Sequence, residues 1–403
     1  MIGGALSSSR LERLQRAMVG YVERGQVPGL VWLVCRRGEV HTDAMGAMAR
    51  DASEPLRRDA IFRISSMTKP VTAVAAMILV EECRLRLDDP VDDLLPELAE
   101  RKVLRSLEAP LDDTGPANRP ITLRDLLTFR MGFGQLLAPP DAYPILRAAN
   151  ELRLGMGPPR PQRMPAPDEW LRRLGMLPLM HQPGERWLYN TGADVLGVLL
   201  ARASGQPLAT FLRERIFEPL GMKDTGFSVA PEQRHRLPPC YWTNFQTGVT
   251  EVFDPVEGGQ WSQPPVFPSG AAGLVSTVDD YLAFAQMLLN HGRHGSERIL
   301  SRHSVELMTT DQLTSEQKAV SGLIPGYFDG HGWGFGVSIV NRREDVAFAP
   351  GSYGWDGGLG TSWRSDPAEQ MITLLLTQQA WTSPGPPGVC RDFWTLAYQA
   401  IDD

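Results

Sequence analysis

The chain has 403 residues, of which 42% are hydrophobic and 22% are charged, and its formal net charge is −7. This composition is typical of a folded globular protein and excludes a disordered or collagen-like chain. The negative charge gives no electrostatic reason to bind nucleic acid or an anionic membrane, so we expect neither as a partner.

The first elements are predicted by hydrophobic periodicity. Leu11, Leu14 and Met18 recur at spacings of three and four residues, which predicts an amphipathic helix over 8–24. Two apolar runs, 30–35 and 39–44, follow it. They flank a short polar segment that ends in glycine, and the pattern predicts a β-hairpin.

The middle of the chain is predicted to be mostly helical. Thr191 with Asp194, and Thr277 with Asp280, have the spacing of helix N-caps, and Gly205 is suited to a C-cap. The predicted helices cover 71–85, 123–129, 191–203, 208–217 and 278–290. Between the second and third of them, residues 155–167 are too rich in proline for regular structure. We expect a long loop there, which is either a packed lid or a linker.

The last part of the chain returns to strands. Runs over 333–340, 359–364 and 371–377 are strand-like, and 390–401 predicts a closing helix. The fold class is therefore α/β (α+β), with an antiparallel sheet built from both chain ends. We predict one unit over 1–403, with an α/β part at about 1–85 and 325–403. A mostly helical part with the proline-rich lid is predicted at about 86–324.

The sequence shows no clear targeting signal. The segment Met1–Arg10 has no basic start followed by an apolar stretch, and the longest apolar run falls short of the ~18 residues that span a bilayer. The sequence therefore predicts a cytoplasmic protein.

The four cysteines, Cys35, Cys83, Cys240 and Cys390, are far apart and are expected to be small buried hydrophobic residues.

The first candidate for chemistry is Ser66 with Lys69, at the start of a predicted helix. A serine and a lysine three residues apart share one face of the first turn, so the amine can accept the proton of the hydroxyl. As a bare pattern this is weak, because an N-cap serine followed by an exposed lysine has the same spacing. The context has to decide between the two interpretations.

Two further candidates lie on turns. Tyr189 immediately precedes a predicted helix, where a phenol beside a lysine could be held partly as phenolate and move protons; the alternative is a half-buried packing residue. Glycines over 354–360 break a strand, so that a substrate could lie against the backbone and an N–H could stabilise an oxyanion. The alternative there is a bulged sheet edge with a core tryptophan.

Taken together, these motifs resemble the serine β-lactamase and penicillin-binding protein superfamily. The resemblance extends from about residue 8 to 400. It is closest to the class C-like members and, within them, to the family VIII carboxylesterases, whose third motif is often Trp-x-Gly where β-lactamases have Lys-Thr-Gly. The motifs that carry it are Ser66-x-x-Lys69-Pro70, Leu126-Leu-Thr128 with Gly132, Pro183-Gly184, Tyr189, Ile216–Met222, Ser269–Thr277 and Trp355-x-Gly357.

The resemblance implies roles for individual residues. It implies that Ser66 is the acylated nucleophile and that Lys69 and Tyr189 are the proton-transfer pair. Trp355 and Gly357 would line the substrate. The N–H groups of Ser66 and Gly358 would form the oxyanion hole. Two departures from β-lactamases favour esters as substrates. Thr191 stands where an asparagine is usual, and Trp355 stands where a lysine would bind a β-lactam carboxylate.

We therefore expect a serine carboxylesterase that hydrolyses small to medium neutral esters and needs no metal or cofactor. Acyltransferase, D-amino-acid peptidase and weak β-lactamase activities are alternatives on the same scaffold. A non-catalytic binding module is a weaker alternative, because it would leave four motifs without a function. The sequence does not predict an oligomeric state.

Overall fold

A computed structural model describes residues 6–244 and 246–402. The helices are α1 (Ser8–Glu23), α2 (Thr68–Glu81), α3 (Leu123–Leu127), α4 (Pro144–Glu151), α5 (Pro167–Gly175), α6 (Thr191–Ser204), α7 (Leu208–Leu212), α8 (Glu218–Leu220), α9 (Val278–Leu289), α10 (Arg302–Met308), α11 (Ser315–Ala319) and α12 (Gly388–Gln399). A π-helical turn, Arg213–Phe217, joins α7 to α8. Short 3₁₀ turns cover Ser65–Met67, Pro96–Leu98 and Pro231–Arg236.

The strands are β1 (Gly29–Arg36), β2 (Glu39–Gly46), β3 (Phe62–Arg63), β4 (Lys102–Leu104), β5 (Thr114–Pro116), β6 (Cys240–Thr243), β7 (Thr250–Asp254), β8 (Val275–Ser276), β9 (Arg293–His294), β10 (Glu297–Arg298), β11 (His331–Trp333), β12 (Ser338–Val340), β13 (Tyr353–Gly357), β14 (Thr361–Asp366) and β15 (Met371–Thr377). Seven of them form one antiparallel sheet in the order β11-β12-β13-β14-β15-β1-β2. The predicted sheet from both chain ends is confirmed.

The sheet is covered on both faces, which explains why β1 is buried along its whole length. Leu30, Trp32 and Val34 pack with α1 and α12 on one face. The alternate residues Val31 and Leu33 pack with α2 and α9 on the other face. This alternation is the period of two that a strand imposes on its side chains.

The strand predicted over 333–340 is wrong, because two strands occupy that segment. β11 ends at Trp333 and β12 begins at Ser338, and the two pair antiparallel as a hairpin. Gly334 N–H donates to the carbonyl of Val337, and Gly336 has a φ of 71°, which a glycine adopts without strain. The turn residues Phe335 and Val337 are themselves buried, so the apolar pattern does not show the break.

Cys83 is a second correction. Cys35, Cys240 and Cys390 are buried as predicted, but Cys83 is exposed. It lies just after the end of α2, in a turn where its φ is 57°. All four cysteines are free thiols.

The region between the two ends of the sheet contains small sheets as well as helices. β4 pairs with β5, β6 with β7, and β9 with β10, each as a two-stranded antiparallel unit. Within the described ranges, no single helix is long and apolar enough to cross a membrane; α6 with the α7–α8 segment meets that test only as a pair bent by 81°. Residues 1–5, the first half of the segment Met1–Arg10 discussed above, lie outside the described residues.

Candidate active site

Ser66 and Lys69 meet at the start of α2. Ser66 lies in the 3₁₀ turn Ser65–Met67 and Lys69 is the second residue of the helix, so the two side chains lie on one face of the chain. Lys69 Nζ is 2.9 Å from Ser66 Oγ, and Lys69 is only 1% exposed. The structure therefore brings the predicted pair into direct contact inside the protein, and the interpretation as an exposed lysine is wrong.

The turn that carries Ser66 is held from two sides. Ser65 has a φ of 46°, a left-handed conformation that costs a non-glycine residue about 1 kcal/mol and is common at functional sites. Two residues before it, the buried side chain of Arg63 on β3 donates from Nε to Oδ2 of Asp254 at 2.6 Å. Because a strand so anchored leads directly into the turn, Ser66 has a fixed position.

Burial determines the protonation of Lys69. Removal from water lowers the pKa of the amine far below its usual value, and the Asp194 carboxylate partly opposes this by raising it. Lys69 Nζ donates to the carbonyl of Ala271 at 2.8 Å, and it lies 4.5 Å from the ring centroid of Tyr189. With a pKa lowered to about 7, a large fraction of the amine is neutral near that pH, and its free lone pair can accept the proton of Ser66.

Asp194 belongs to the site, although the sequence assigned it to a helix cap. Residue 190 occupies the N-cap position of α6 without a capping side chain, and Thr191 is the first helical residue, so the predicted Thr191–Asp194 cap is wrong. Asp194 is buried instead, and it accepts from Ser269 Oγ at 2.6 Å and from the N–H of Ala271 at 3.2 Å. Ala271 thus contacts Asp194 through its backbone N–H and Lys69 through its backbone carbonyl.

One sequence signal could have found Asp194. It interrupts the apolar run 193–200, whose other residues all face the interior. A carboxylate on a buried helix face requires hydrogen-bond donors or a cation, because burial alone raises its pKa, and it does so here. Ser269 supplies a donor, and the nearby amine of Lys69 opposes the rise in the pKa of Asp194 when it is protonated.

Tyr189 is presented by a strained turn. Asn190 has φ 79° and ψ −61°, and the N–H of Thr191 donates to the carbonyl of Tyr189 at 3.1 Å, which is the geometry of a rare γ-turn. The same carbonyl accepts from the N–H of Gln135 at 2.9 Å. These two bonds fix the backbone from which the phenol projects.

The phenol of Tyr189 is protonated, and this corrects the expectation of a partial phenolate. Burial raises the pKa of Tyr189 well above its usual value, although hydrogen bonds to Ser66 and Trp355 act in the opposite direction. Trp355 Nε1 donates to Tyr189 Oη at 2.7 Å. Because an indole can only donate, the oxygen of Tyr189 accepts that bond, and its own proton remains available to Ser66 or a leaving group.

Trp355 is one of a group of aromatic rings around the site. It lies on β13, is 8% exposed, and meets the ring of Trp333 edge-on at a centroid distance of 4.6 Å. The ring of Trp187 stacks against that of Tyr189 at 5.5 Å, and Phe129 contacts both of them. Aromatic contacts of this kind hold Trp355 and Tyr189 in place and make the wall of the site apolar.

The two glycines after Trp355 differ in their surroundings. A Cβ on Gly357 would overlap the carbonyl oxygen of Ile64 and the side-chain oxygen of Thr361, so β13 approaches the nucleophile turn closely only because residue 357 has no side chain. A Cβ on Gly358 would have no atom within 4 Å. Gly358 and Ser66 both line the same cavity.

That cavity has a volume of about 1560 Å³ and runs from Ser66 to the proline-rich loop. Residues 155–165 form part of its wall, so the loop is a packed segment. The side chain of Gln162 holds it in place by donating to the carbonyls of Gln260, Gln263 and Pro264 at 3.0–3.2 Å. Within the described part of the chain, no group of three or more His, Cys, Asp or Glu side chains could hold a metal ion.

Comparisons with known proteins show which family and fold the chain resembles. The sequence model of the beta-lactamase family matches residues 14–387. Protein Rv1367c of Mycobacterium tuberculosis is 40% identical over 362 residues, covering 88% of this chain and 87% of its own. Esterase EstB of Burkholderia gladioli is 31% identical over 402 residues, covering 94% and 93%. The structure of EstCE1, described as a hydrolase with promiscuous acyltransferase activity, matches with a TM-score of 0.78 and 26% identity over 98% of both chains.

Proposed function

Since the chain belongs to the beta-lactamase family and is similar to esterases of that fold, we propose that it is a serine carboxylesterase with Ser66 as its nucleophile. The observation that carries the assignment of Ser66 is the 2.9 Å distance between its Oγ and the buried amine of Lys69. A serine is a weak nucleophile until a neighbouring base accepts its proton. Lys69, whose pKa burial lowers to about 7, is that base in its neutral form.

The first half of the reaction forms an acyl-enzyme. The proton of Ser66 passes to Lys69, and Oγ attacks the ester carbonyl carbon. The backbone N–H groups of Ser66 and Gly358 stabilise the oxyanion that develops, a contribution worth about 10² to 10³ in rate for each donor. When the tetrahedral intermediate collapses, the C–O bond to the alcohol breaks and Tyr189 donates its proton to the departing oxygen.

The second half reverses these transfers with water. Water loses a proton to the Tyr189 phenolate and attacks the acyl carbon; when the intermediate collapses the acid is released, and Lys69 returns its proton to Ser66. Trp355 supports Tyr189 in both halves, because its indole N–H stabilises the oxygen whenever the phenol has given up its proton. Asp194 is a positioning residue, since it holds the backbone N–H of Ala271, the residue whose carbonyl accepts from Lys69.

The wall beside Ser66 favours esters over β-lactams. Trp355 is apolar and its only polar atom is bonded to Tyr189, so it offers no charge to a β-lactam carboxylate. Thr191 is buried at the start of α6 and provides no side-chain amide. An ester also needs less acid catalysis than an amide, because its alkoxide leaves more readily.

The test is the substitution Ser66→Ala. We expect it to abolish hydrolysis of p-nitrophenyl butyrate and covalent labelling by a fluorophosphonate. Ser383→Ala is a matched control, because Ser383 lines the same cavity, is exposed and, within the described ranges, bonds only the carbonyl of Gly385. Activity or labelling that survives in Ser66→Ala would contradict the assignment. Intact mass after incubation with ester separates an enzyme, which forms an acyl adduct, from a binding module.

Acyl transfer to an alcohol is a second candidate, and the size of the cavity favours it. At about 1560 Å³, the cavity exceeds the 300–1,000 Å³ that is usual for small-molecule pockets, so an acceptor alcohol could take the place of water. Adding butanol to the ester assay separates the two, because a transferase forms butyl ester faster than free acid. A chromogenic cephalosporin and a D-Ala-D-Ala peptide test the remaining alternatives. A cytoplasmic location and the absence of nucleic-acid partners remain predictions from the sequence.

A further inference from the structure

The charge of the cavity wall is opposite to that of the whole chain. The chain has 47 acidic and 40 basic residues. Among the residues that the structure describes, the cavity is lined by seven arginines and only four carboxylates, and one of those carboxylates is the buried Asp194 beside Lys69. The wall therefore has an excess of positive charge in a protein that is negative overall.

Three of these arginines, Arg153, Arg160 and Arg163, lie on or next to the proline-rich loop. The segment 152–167 contains no aspartate or glutamate. Within residues 6–244 and 246–402, none of the three guanidinium groups forms an ion pair, whereas other arginines of the wall do, namely Arg173 with Glu169, Arg342 with Glu344 and Arg364 with Asp356. The loop thus presents three cations that no carboxylate of the described chain neutralises.

The loop holds the backbone of Arg160 and Arg163 in a defined position. Gln162, between Arg160 and Arg163, is bonded through its side chain to three backbone carbonyls of the neighbouring segment. The N–H of Arg163 donates to the carbonyl of Arg160 at 2.9 Å, which closes a turn. The guanidinium of Arg160 lies 4.9 Å from the ring centroid of Phe253, which also lines the cavity.

We propose that Arg153, Arg160 and Arg163 form a recognition site for an anionic group at the far end of the ester substrate. This rests on the proposed esterase function and specifies its substrate class, namely esters that have a carboxylate on the acyl chain, such as half-esters of dicarboxylic acids. Arginine suits this role because its planar fork donates two parallel hydrogen bonds to a carboxylate. The wall at Trp355 is apolar, so the charge is recognised at the lid and not beside the reacting carbonyl.

The kinetic test compares two substrates of equal chain length. Mono-p-nitrophenyl adipate has a terminal carboxylate, and p-nitrophenyl hexanoate does not. We expect the native enzyme to have the higher kcat/KM for the adipate. The triple variant Arg153→Gln/Arg160→Gln/Arg163→Gln should reduce the ratio of the two kcat/KM values about tenfold, and 0.5 M salt should reduce it in the native enzyme, since salt screens exposed charges.

A control variant separates local recognition from net charge. Arg13→Gln/Arg16→Gln/Arg86→Gln removes the same charge from exposed positions that do not line the cavity, and the ratio should not change. The proposal would be overturned if the ratio of the two kcat/KM values were the same in the native enzyme and in the Arg153/Arg160/Arg163 variant. It would also be overturned if this ratio fell equally in that variant and in the control variant. Mono-p-nitrophenyl suberate and p-nitrophenyl octanoate, as a second pair, test whether a longer chain reaches the lid better. A nitrophenyl ester with phosphate in place of the carboxylate tests whether the site prefers one anion.

Binding gives an answer that does not depend on turnover. In a Ser66→Ala background, calorimetry with monoethyl adipate should show affinity that is about tenfold weaker when the lid arginines are replaced by glutamine. Equal affinity in both proteins would refute the anion site. If the native protein hydrolyses none of the nitrophenyl esters, the esterase function fails, and the binding measurement still decides whether the lid recognises a carboxylate.

Discussion

Replacement of Gly357 by alanine tests how closely β13 must approach the nucleophile turn. The added methyl group would overlap the carbonyl oxygen of Ile64, and that carbonyl is held by the N–H of Met67 at 3.0 Å and by Thr361 Oγ1 at 3.2 Å. Overpacking against a fixed backbone costs about 1–3 kcal/mol and one lost hydrogen bond about 1 kcal/mol, so we expect a loss of stability of about 2–4 kcal/mol. The strand must shift away from the turn and move Trp355 with it.

The effect on activity should be larger than the effect on folding alone. A displacement of about 1 Å in a catalytic group can cost about 100-fold in rate, so kcat/KM for p-nitrophenyl butyrate should fall by that order in the folded fraction of Gly357→Ala. Gly358→Ala is the matched control for stability, because its methyl group has no neighbour within 4 Å, and its Tm should match that of the native protein. Equal Tm and kcat/KM values for Gly357→Ala and the native protein would refute the close-approach argument.

The remaining predictions concern the proton path and the anchor of the nucleophile strand. Trp355→Phe keeps the ring but removes the donor to the tyrosine oxygen; kcat should fall about 5- to 100-fold with little change in KM, as steady-state kinetics would show. Because Lys69 acts as a base when neutral and burial lowers its pKa to about 7, kcat/KM should rise with pH through that region. Asp194 raises this pKa, so Asp194→Asn should move the rising limb of the pH profile to lower pH; an unmoved limb would argue against coupling. Asp254→Asn leaves Arg63 buried without its carboxylate and should cost about 3–5 kcal/mol in denaturant unfolding, whereas an unchanged midpoint would contradict the buried ion pair.

Those parts of the site that depend on local geometry are the parts that the sequence predicts. The contact between Ser66 and Lys69 follows from a spacing of three residues at a helix start, and the β1–β2 hairpin follows from its glycine turn. The roles of Tyr189 and Trp355 came from the resemblance to known enzymes. No local rule predicts the hydrogen bond between them, because 166 residues separate them.

The sequence does not predict other features, because one sequence pattern is compatible with two different local structures. Asp194 satisfies the rule for an acidic residue in the first turn of a helix, and only tertiary packing shows that its side chain faces inward. The hairpin over 331–340 has the same apolar run as one continuous strand. The protonation of Tyr189 depends on burial by rings that are distant in sequence, such as Trp333, and no sequence window includes them.

The pairing of β1 with β15 has a consequence for how the protein is made. Leu30 lies opposite Thr377 in the sheet, so almost the whole chain must leave the ribosome before the two strands can meet. Until then both edges of the β1–β2 hairpin are unpaired and the side chains of β1 are uncovered on both faces, and an isolated hairpin is marginally stable in water. We expect such a nascent chain to be prone to aggregation and to fold slowly, because the decisive contacts are long-range. A chain released before residue 371 would lack the strand that completes the centre of the sheet.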